Sequence, residues 1–208
     1  MGKHAQSIDS KILSRVKAHG RGWVFTPAHF DDLAGRSTVS IVLKRHTDAG
    51  TFRNLARGLY DYPKIDSQLG ALLPSTDDIA KALVGRDEIR LQPSGAYAAN
   101  QLGLSTQVPM KVVYLTDGPS KTVQVGKRQI QLRQTTPKNM ATAGKISGLA
   151  IQALKHIGKD QVDDAVIATL SKRLDDAARR QLIKDIRSAP AWIADIFRKL
   201  AANAPHLS

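Results

Sequence analysis

The period at which hydrophobic residues recur changes twice along this chain, near Pro63 and near Pro137, and each change implies a different kind of structure. Before Pro63, short helical patterns alternate with short extended runs. Ile8, Ile12, Leu13 and Val16 repeat at helical spacing until Gly20 and Gly22 break the run, which predicts a first helix. Trp23, Val24 and Phe25 follow as a short extended stretch. Thr26-Pro27 then reads as an N-cap with proline at the first helical position, predicting a second short helix over Ala28–Ala34 that Gly35 closes. Ser37 is a suitable cap for a third helix with Val39, Val42, Leu43 and His46 on one face, stopped by Gly50. Only about three residues join the second and third helices, as a helix-turn-helix requires. Two extended runs come next, Thr51–Ala56 and Leu59–Tyr62, joined around Arg57-Gly58 as a hairpin wing.

Between the two prolines the pattern predicts helices over Thr76–Leu83, capped by Ser75 or Thr76, and over Ser94–Leu102, stopped by Gly103. Strands follow at Lys111–Thr116, Thr122–Val125 and Gln129–Arg133, separated by Asp117-Gly118-Pro119 and Gly126-Lys127, both turn signals. A small antiparallel sheet with helices on one side is the expectation. Beyond Pro137 the reading is helical: Ala141–Ile157, Val162–Arg187 and Ala191–Asn203. The middle helix carries Val166, Leu170 and Leu174 and, after a gap, Leu182 and Ile186. The fold class read from this order is α+β: a winged helix-turn-helix over 1–64, a small α/β region with antiparallel strands over 65–138, and a helical region over 139–208. The last two could pack as one domain.

Charge bears on partners. The formal net charge is +13 and the sequence pI about 10.2, a balance that makes nucleic acid a natural partner, although an anionic protein would also fit. Residues 1–64 hold 11 Lys and Arg against 5 Asp and are the most basic segment for their length. No cysteine is present, which excludes disulfides, thiolate metal sites and a cysteine nucleophile. No apolar run approaches the roughly 18 to 20 residues that span a bilayer, and Met1–Asp9 lacks the apolar stretch of a signal peptide. A cytoplasmic protein with no membrane partner is expected.

On a helical wheel with Val39, Leu43 and His46 facing the core, the third helix turns Ser37, Ile41, Lys44, Arg45 and Asp48 outward, flanked by Thr38 and Ser40. Such a face suits a DNA major groove. Short hydroxyls approach phosphates or base edges closely, an arginine offers a fork to guanine, and an exposed isoleucine meets a thymine methyl. The wing adds Arg53, Asn54 and Arg57 for the backbone or an adjacent minor groove. The candidate DNA-binding set is therefore Arg36, Ser37, Thr38, Ser40, Ile41, Lys44, Arg45, Arg53, Asn54 and Arg57, with Lys11, Arg15 and Lys17 as further phosphate contacts. The plainer reading is a packing unit with a solvated basic surface and a Lys44–Asp48 pair at i,i+4. His46, on the apolar face, reads as a core residue and not a ligand.

An enzyme reading finds little to stand on, and no cofactor or metal is expected. Asp87-Glu88 with Arg90 has the look of a nuclease acid pair, yet no suitably spaced lysine follows. Asp77-Asp78, Asp163-Asp164 and Asp175-Asp176 fall at helix starts or on solvated faces, where negative charge complements the helix dipole. There is no P-loop, no dinucleotide-binding glycine pattern and no Gly-x-Ser-x-Gly elbow, and the six histidines show no paired ligand spacing.

The run Gly50-Thr51-Phe52-Arg53-Asn54-Leu55-Ala56-Arg57-Gly58-Leu59-Tyr60 resembles the wing signature of the AbiEi-type antitoxin family. Ser94–Asn100, the block Gly103-Leu104-Ser105-Thr106-Gln107-Val108-Pro109, and Val113–Gly118 are similar to the body of that family. The resemblance covers most of the chain and is strongest from about 20 to 137. It implies a type IV toxin–antitoxin system of a bacterium: an antitoxin that represses its own operon at inverted repeats and counters a nucleotidyltransferase-like toxin. Arg53, Arg57 and the third-helix face carry over as DNA contacts; no toxin-neutralising residue does. The alternative is a stand-alone winged-helix regulator whose C-terminal part binds a ligand or oligomerises. Taken without the resemblance, Leu104–Pro109 reads first as a turn aligning a helix with a strand, and Asp117–Ser120 as a hairpin turn.

Overall fold

The computed structural model describes residues 7–85 and 89–202. The protein is mixed α+β, with a helix first, antiparallel strands after it and a helical C-terminal region. It divides into two compact units, Met1–Glu88 with Val123–Gly126, and Ile89–Thr122 with Lys127–Ser208. Among the described residues no helix is long and apolar enough to cross a membrane.

The first unit opens with α1 (Ile8–His19), whose cap Ser7 accepts the Ser10 amide proton and whose Ile12 and Val16 are buried. A short strand β1 (Val24–Phe25) follows, then one 3-10 turn, Pro27–Phe30. The second helix expected over 28–34 does not form. In an α-helix the His29 carbonyl would accept from residue 33; here the Arg15 guanidinium takes that oxygen at 2.7 Å, and Leu33 bonds Phe30 instead. Helix α2 (Arg36–Asp48) begins two residues earlier than expected, capped by Gly35 in place of Ser37, and buries Val39, Val42 and Leu43. Strands β2 (Arg53–Ala56) and β3 (Leu59–Asp61) form an antiparallel hairpin with Arg57-Gly58 at its tip, where Gly58 takes φ +71°, a left-handed conformation that glycine adopts without strain. β1 pairs with β3, giving a three-stranded sheet of order β1-β3-β2. A second hairpin, β4 (Lys64–Asp66) and β5 (Gly70–Leu72), follows where no strands were expected. Helix α3 (Thr76–Val84), with Ser75 as cap, packs on β1. The core joins Ile12 and Val16 of α1, Phe25 of β1, Phe30 of the 3-10 turn, Val39 and Leu43 of α2, and Phe52 just before β2, with Tyr60 of β3 packed against it.

The second unit starts with β6 (Leu91–Ser94), a strand absent from the sequence reading, and α4 (Gly95–Gln101). Strand β7 (Lys111–Thr116) matches expectation to the residue; β8 (Lys121–Val125), whose Val123–Val125 belong to the first unit, and β9 (Arg128–Gln134) extend it slightly. The sheet order is β6-β7-β9-β8. β6 pairs antiparallel with β7, but β9 lies between β7 and β8 and runs parallel to β7, against the antiparallel sheet expected of these three strands. After one turn of helix, α5 (Pro137–Met140), the chain makes turns until α6 (Ile146–Ile157); the helix expected from Ala141 is delayed because Gly144 takes φ +76°. The single helix expected over 162–187 is two, α7 (Asp164–Arg173) and α8 (Asp176–Lys184). Asp175 accepts the Ala178 amide proton and restarts the helix, while the buried Arg179 donates back to the Leu174 and Ser171 carbonyls that α7 leaves open. That break is the gap between Leu174 and Leu182. Helix α9 (Ala191–Ala202) completes a core of Leu154, Leu170, Leu182, Ile193 and Phe197.

Asp185 ties α6 to the end of α8. Its carboxylate accepts from the Ser147 hydroxyl at 2.6 Å, the Gln181 amide at 2.6 Å and the Lys145 ammonium at 3.1 Å. Burial alone would raise its pKa; the hydroxyl, amide and ammonium outweigh burial and hold the carboxyl below the usual range. A carboxyl lowered in the folded state contributes stability above its unfolded pKa, near 3.9, and that stability is lost as pH falls through the lower folded value. Asp185→Ala strands the fully buried Ser147 hydroxyl and is expected to cost about 1–3 kcal/mol at neutral pH. In urea titrations the gap to wild type should close progressively below about pH 4; a gap constant down to pH 2 would refute this account.

Candidate nucleic-acid interface

The outward face of α2 carries most of the candidate residues. Arg36, Ser37, Thr38, Ile41, Lys44 and Arg45 are exposed and Ser40 is half-buried, while Val39, Val42 and Leu43 hold the opposite face in the core. Ile41 is 67% exposed in the middle of this face, an apolar side chain that folding leaves in water. Arg36 stands at the first position of the helix, its side chain without a hydrogen bond or ion pair among the described residues. Lys44 pairs with Asp48 at 2.8 Å, the plainer alternative, and that hydrogen bond and charge raise its pKa. Tyr60 of β3 packs against the same core cluster that holds Val39, Val42 and Leu43 of α2.

Arg45 is exposed but not free. It bonds the Asp9 carboxylate of α1, which also meets His46 Nε2 at 3.1 Å. The Arg45 hydrogen bond is the main reason that the Asp9 carboxyl lies below its ordinary pKa. His46 is otherwise packed on Phe52, with ring centroids 4.9 Å apart, as a core residue would be. Asp9 was not singled out in the sequence, because nothing local links it to a residue 36 positions away.

The hairpin separates its arginines. Arg57 sits exposed at the tip with no partner among the described residues, and Asn54 is exposed on the outer strand. Arg53, grouped with them in the sequence reading, is turned inward. Its guanidinium takes both oxygens of the buried Asp61, at 3.0 and 2.5 Å, and donates to the Leu72 carbonyl at 2.7 Å. It is a structural tie between the two hairpins. Arg15 is likewise committed, in a two-pronged bond to Asp32 at 2.8 and 2.7 Å; Lys11 and Lys17 stay exposed.

The acid pairs behave as caps and first-turn residues. Asp163 and Asp175 accept amide protons at the starts of α7 and α8, and Asp77 and Asp78 stand in the first turn of α3. Asp87 and Glu88, like His4 and His206, lie outside the described residues. Among the described residues no group of three or more His, Asp or Glu is placed to hold a metal ion.

The molecule is thus an α+β protein whose first unit presents an exposed polar helix face and a hairpin tipped with arginine. The chain belongs to the family of unknown function DUF6088, whose model matches residues 11–182 and so includes parts of both units. No curated protein matches it.

Proposed function

We propose that the first unit is a winged helix-turn-helix that binds double-stranded DNA, with α2 in the major groove and the β2–β3 hairpin as the wing. The observation that carries this reading is the outward face of α2, where Arg36 has no partner among the described residues, Ser37 and Thr38 offer their hydroxyls and Ile41 is left 67% exposed, together with a hairpin whose tip holds Arg57, likewise without a partner among them. Helix, short strand, one-turn segment, helix and hairpin is the winged-helix order, with the 3-10 turn at Pro27–Phe30 in place of the middle helix. Arg36 and Arg57 contact phosphates, Ile41 meets base edges, and Arg45 can join them once it leaves Asp9.

The biological setting we infer is that of a type IV antitoxin that represses its own operon and opposes a nucleotidyltransferase-like toxin. Support for it comes from the AbiEi-type resemblance of residues 50–60, 94–109 and 113–118. Growth rescue of cells expressing such a toxin from the neighbouring reading frame is the test of the antitoxin role; absence of rescue by the full chain would overturn it.

DNA binding is tested by fluorescence anisotropy on the protein's own upstream region at fixed salt. Arg57→Ala should weaken binding by about 1–3 kcal/mol and lower the slope of log K against log salt by about one unit, with no change in thermal stability. Arg36→Ala should behave in the same way. Unchanged affinity in both variants would remove the assignment.

A further inference from the structure

The second unit contains a cavity of about 450 Å³ between the turn of α5, one face of α6 and the segment Arg187–Pro190. Three cations converge on it, Lys138, Lys155 and Arg187, and no carboxylate lines it. All three are exposed, and none has a side-chain hydrogen bond or ion pair among the described residues. Elsewhere in this unit three cations are matched, Lys145 to Asp185, Arg90 to Asp117 and Arg198 to Asp195; what sets Lys138, Lys155 and Arg187 apart from its other exposed cations is that they share one concavity. Asp185 is only two residues from Arg187 and yet its charge is given to Lys145. Three like charges facing one concavity without a counter-charge repel one another, and an anion seated there relieves the repulsion.

The remaining lining narrows the anion. Gln152 accepts the Ser94 hydroxyl proton on its amide oxygen, at 3.3 Å, which leaves its NH2 group to donate. Ala189 and Pro190 form an apolar side to the same cavity. Its volume falls in the range of about 300 to 1,000 Å³ typical of small-molecule sites. We propose that this cavity binds a nucleoside di- or triphosphate, its phosphate chain on Lys138, Lys155 and Arg187 and its base against Ala189 and Pro190. A phosphate chain supplies the matching three to four negative charges, and a flat base accounts for the apolar side. The site is independent of the DNA-binding reading, since it lies wholly within residues of the second unit.

Isothermal titration of the full chain with ATP, GTP, CTP, UTP and tripolyphosphate tests it. At least one nucleotide should saturate with a Kd below about 1 mM, and tripolyphosphate should bind at least about tenfold more weakly. Lys155→Glu with Arg187→Glu should weaken nucleotide binding at least about tenfold, whereas Lys172→Glu with Lys184→Glu, the same change in net charge elsewhere in the unit, should leave it unaltered. Lys138→Glu provides the same readout if the double reversal does not fold. Absence of saturable binding, tripolyphosphate as tight as every nucleotide, or equal loss in the two double variants would each overturn the proposal.

Discussion

Replacing Arg53 by alanine is expected to destabilise the first unit by about 3–5 kcal/mol, a loss large enough to unfold it near room temperature. The reason is the partner left behind. Asp61 is 1% exposed, and both of its oxygens are held by the Arg53 guanidinium; without that fork a carboxylate remains buried with no counter-charge. The bonds from Arg53 to the Ala71 and Leu72 carbonyls go as well, freeing the second hairpin from β2. Lysine should rescue only part of the loss, since one ammonium cannot satisfy two carboxylate oxygens and a carbonyl in that fork geometry. Replacing both partners together, Arg53→Met with Asp61→Leu, should recover most of it, because the cost lies in the orphaned charge. Urea unfolding followed by circular dichroism reads each value; a single-variant cost below about 1 kcal/mol would show that water reaches Asp61. The contrast with Arg57 is diagnostic. Arg57→Ala should lose DNA and keep its stability, whereas Arg53→Ala should lose DNA only as far as it loses its fold.

Gly148→Ala should be costly in the second unit, although propensity argues the opposite. In a helix interior alanine is favoured over glycine by about 1 kcal/mol. Here a Cβ would fall far inside contact distance of the Thr142 carbonyl oxygen and Gln92 Oε1, and 2.9 Å from the Thr142 carbonyl carbon. Thr142 presents rigid backbone, and Gln92 is 1% exposed on β6, so neither can swing into solvent. The close approach of α6 to this backbone is the reason for glycine. Relief requires α6 to move, at a cost of about 3 kcal/mol. Because α6 carries Gln152 and Lys155 to the cavity, the same shift should weaken nucleotide binding as well. Gln92 Oε1 has no hydrogen-bond partner, so Gln92→Leu should be tolerated far better than Gly148→Ala. A Gly148→Ala protein as stable as wild type would contradict this packing.

Which elements were legible follows from the range over which their causes act. β7 agrees with its predicted span because alternation and flanking turn signals lie within a few residues, and the same holds for α1, α3 and α9 with their caps and breakers. The outward face of α2 was legible for the same reason: once Val39 and Leu43 turn inward, a 100° step places Ile41 and Lys44 outside. The misread elements depend on distant groups. Residues 28–34 carry an acceptable helix pattern, and Arg15 on another helix diverts the carbonyl it needs. Residues 162–187 carry an apolar stripe, and Asp175 with Arg179 splits it. The parallel pairing of β7 with β9 arises from strand insertion, which alternation cannot express.

By itself, then, the sequence determined the α+β class, the order of most elements, the strong positive charge and which face of α2 meets solvent. These depend on backbone geometry and on neighbours three or four residues apart. Only the tertiary structure decided what each cation does. Arg53, Arg15, Arg45 and Lys145 find their carboxylates 8, 17, 36 and 40 residues away, while Arg57, Lys138, Lys155 and Arg187 find none among the described residues. A charge is spent or left available according to which carboxylate the folded chain brings within about 4 Å, and no local pattern encodes that distance.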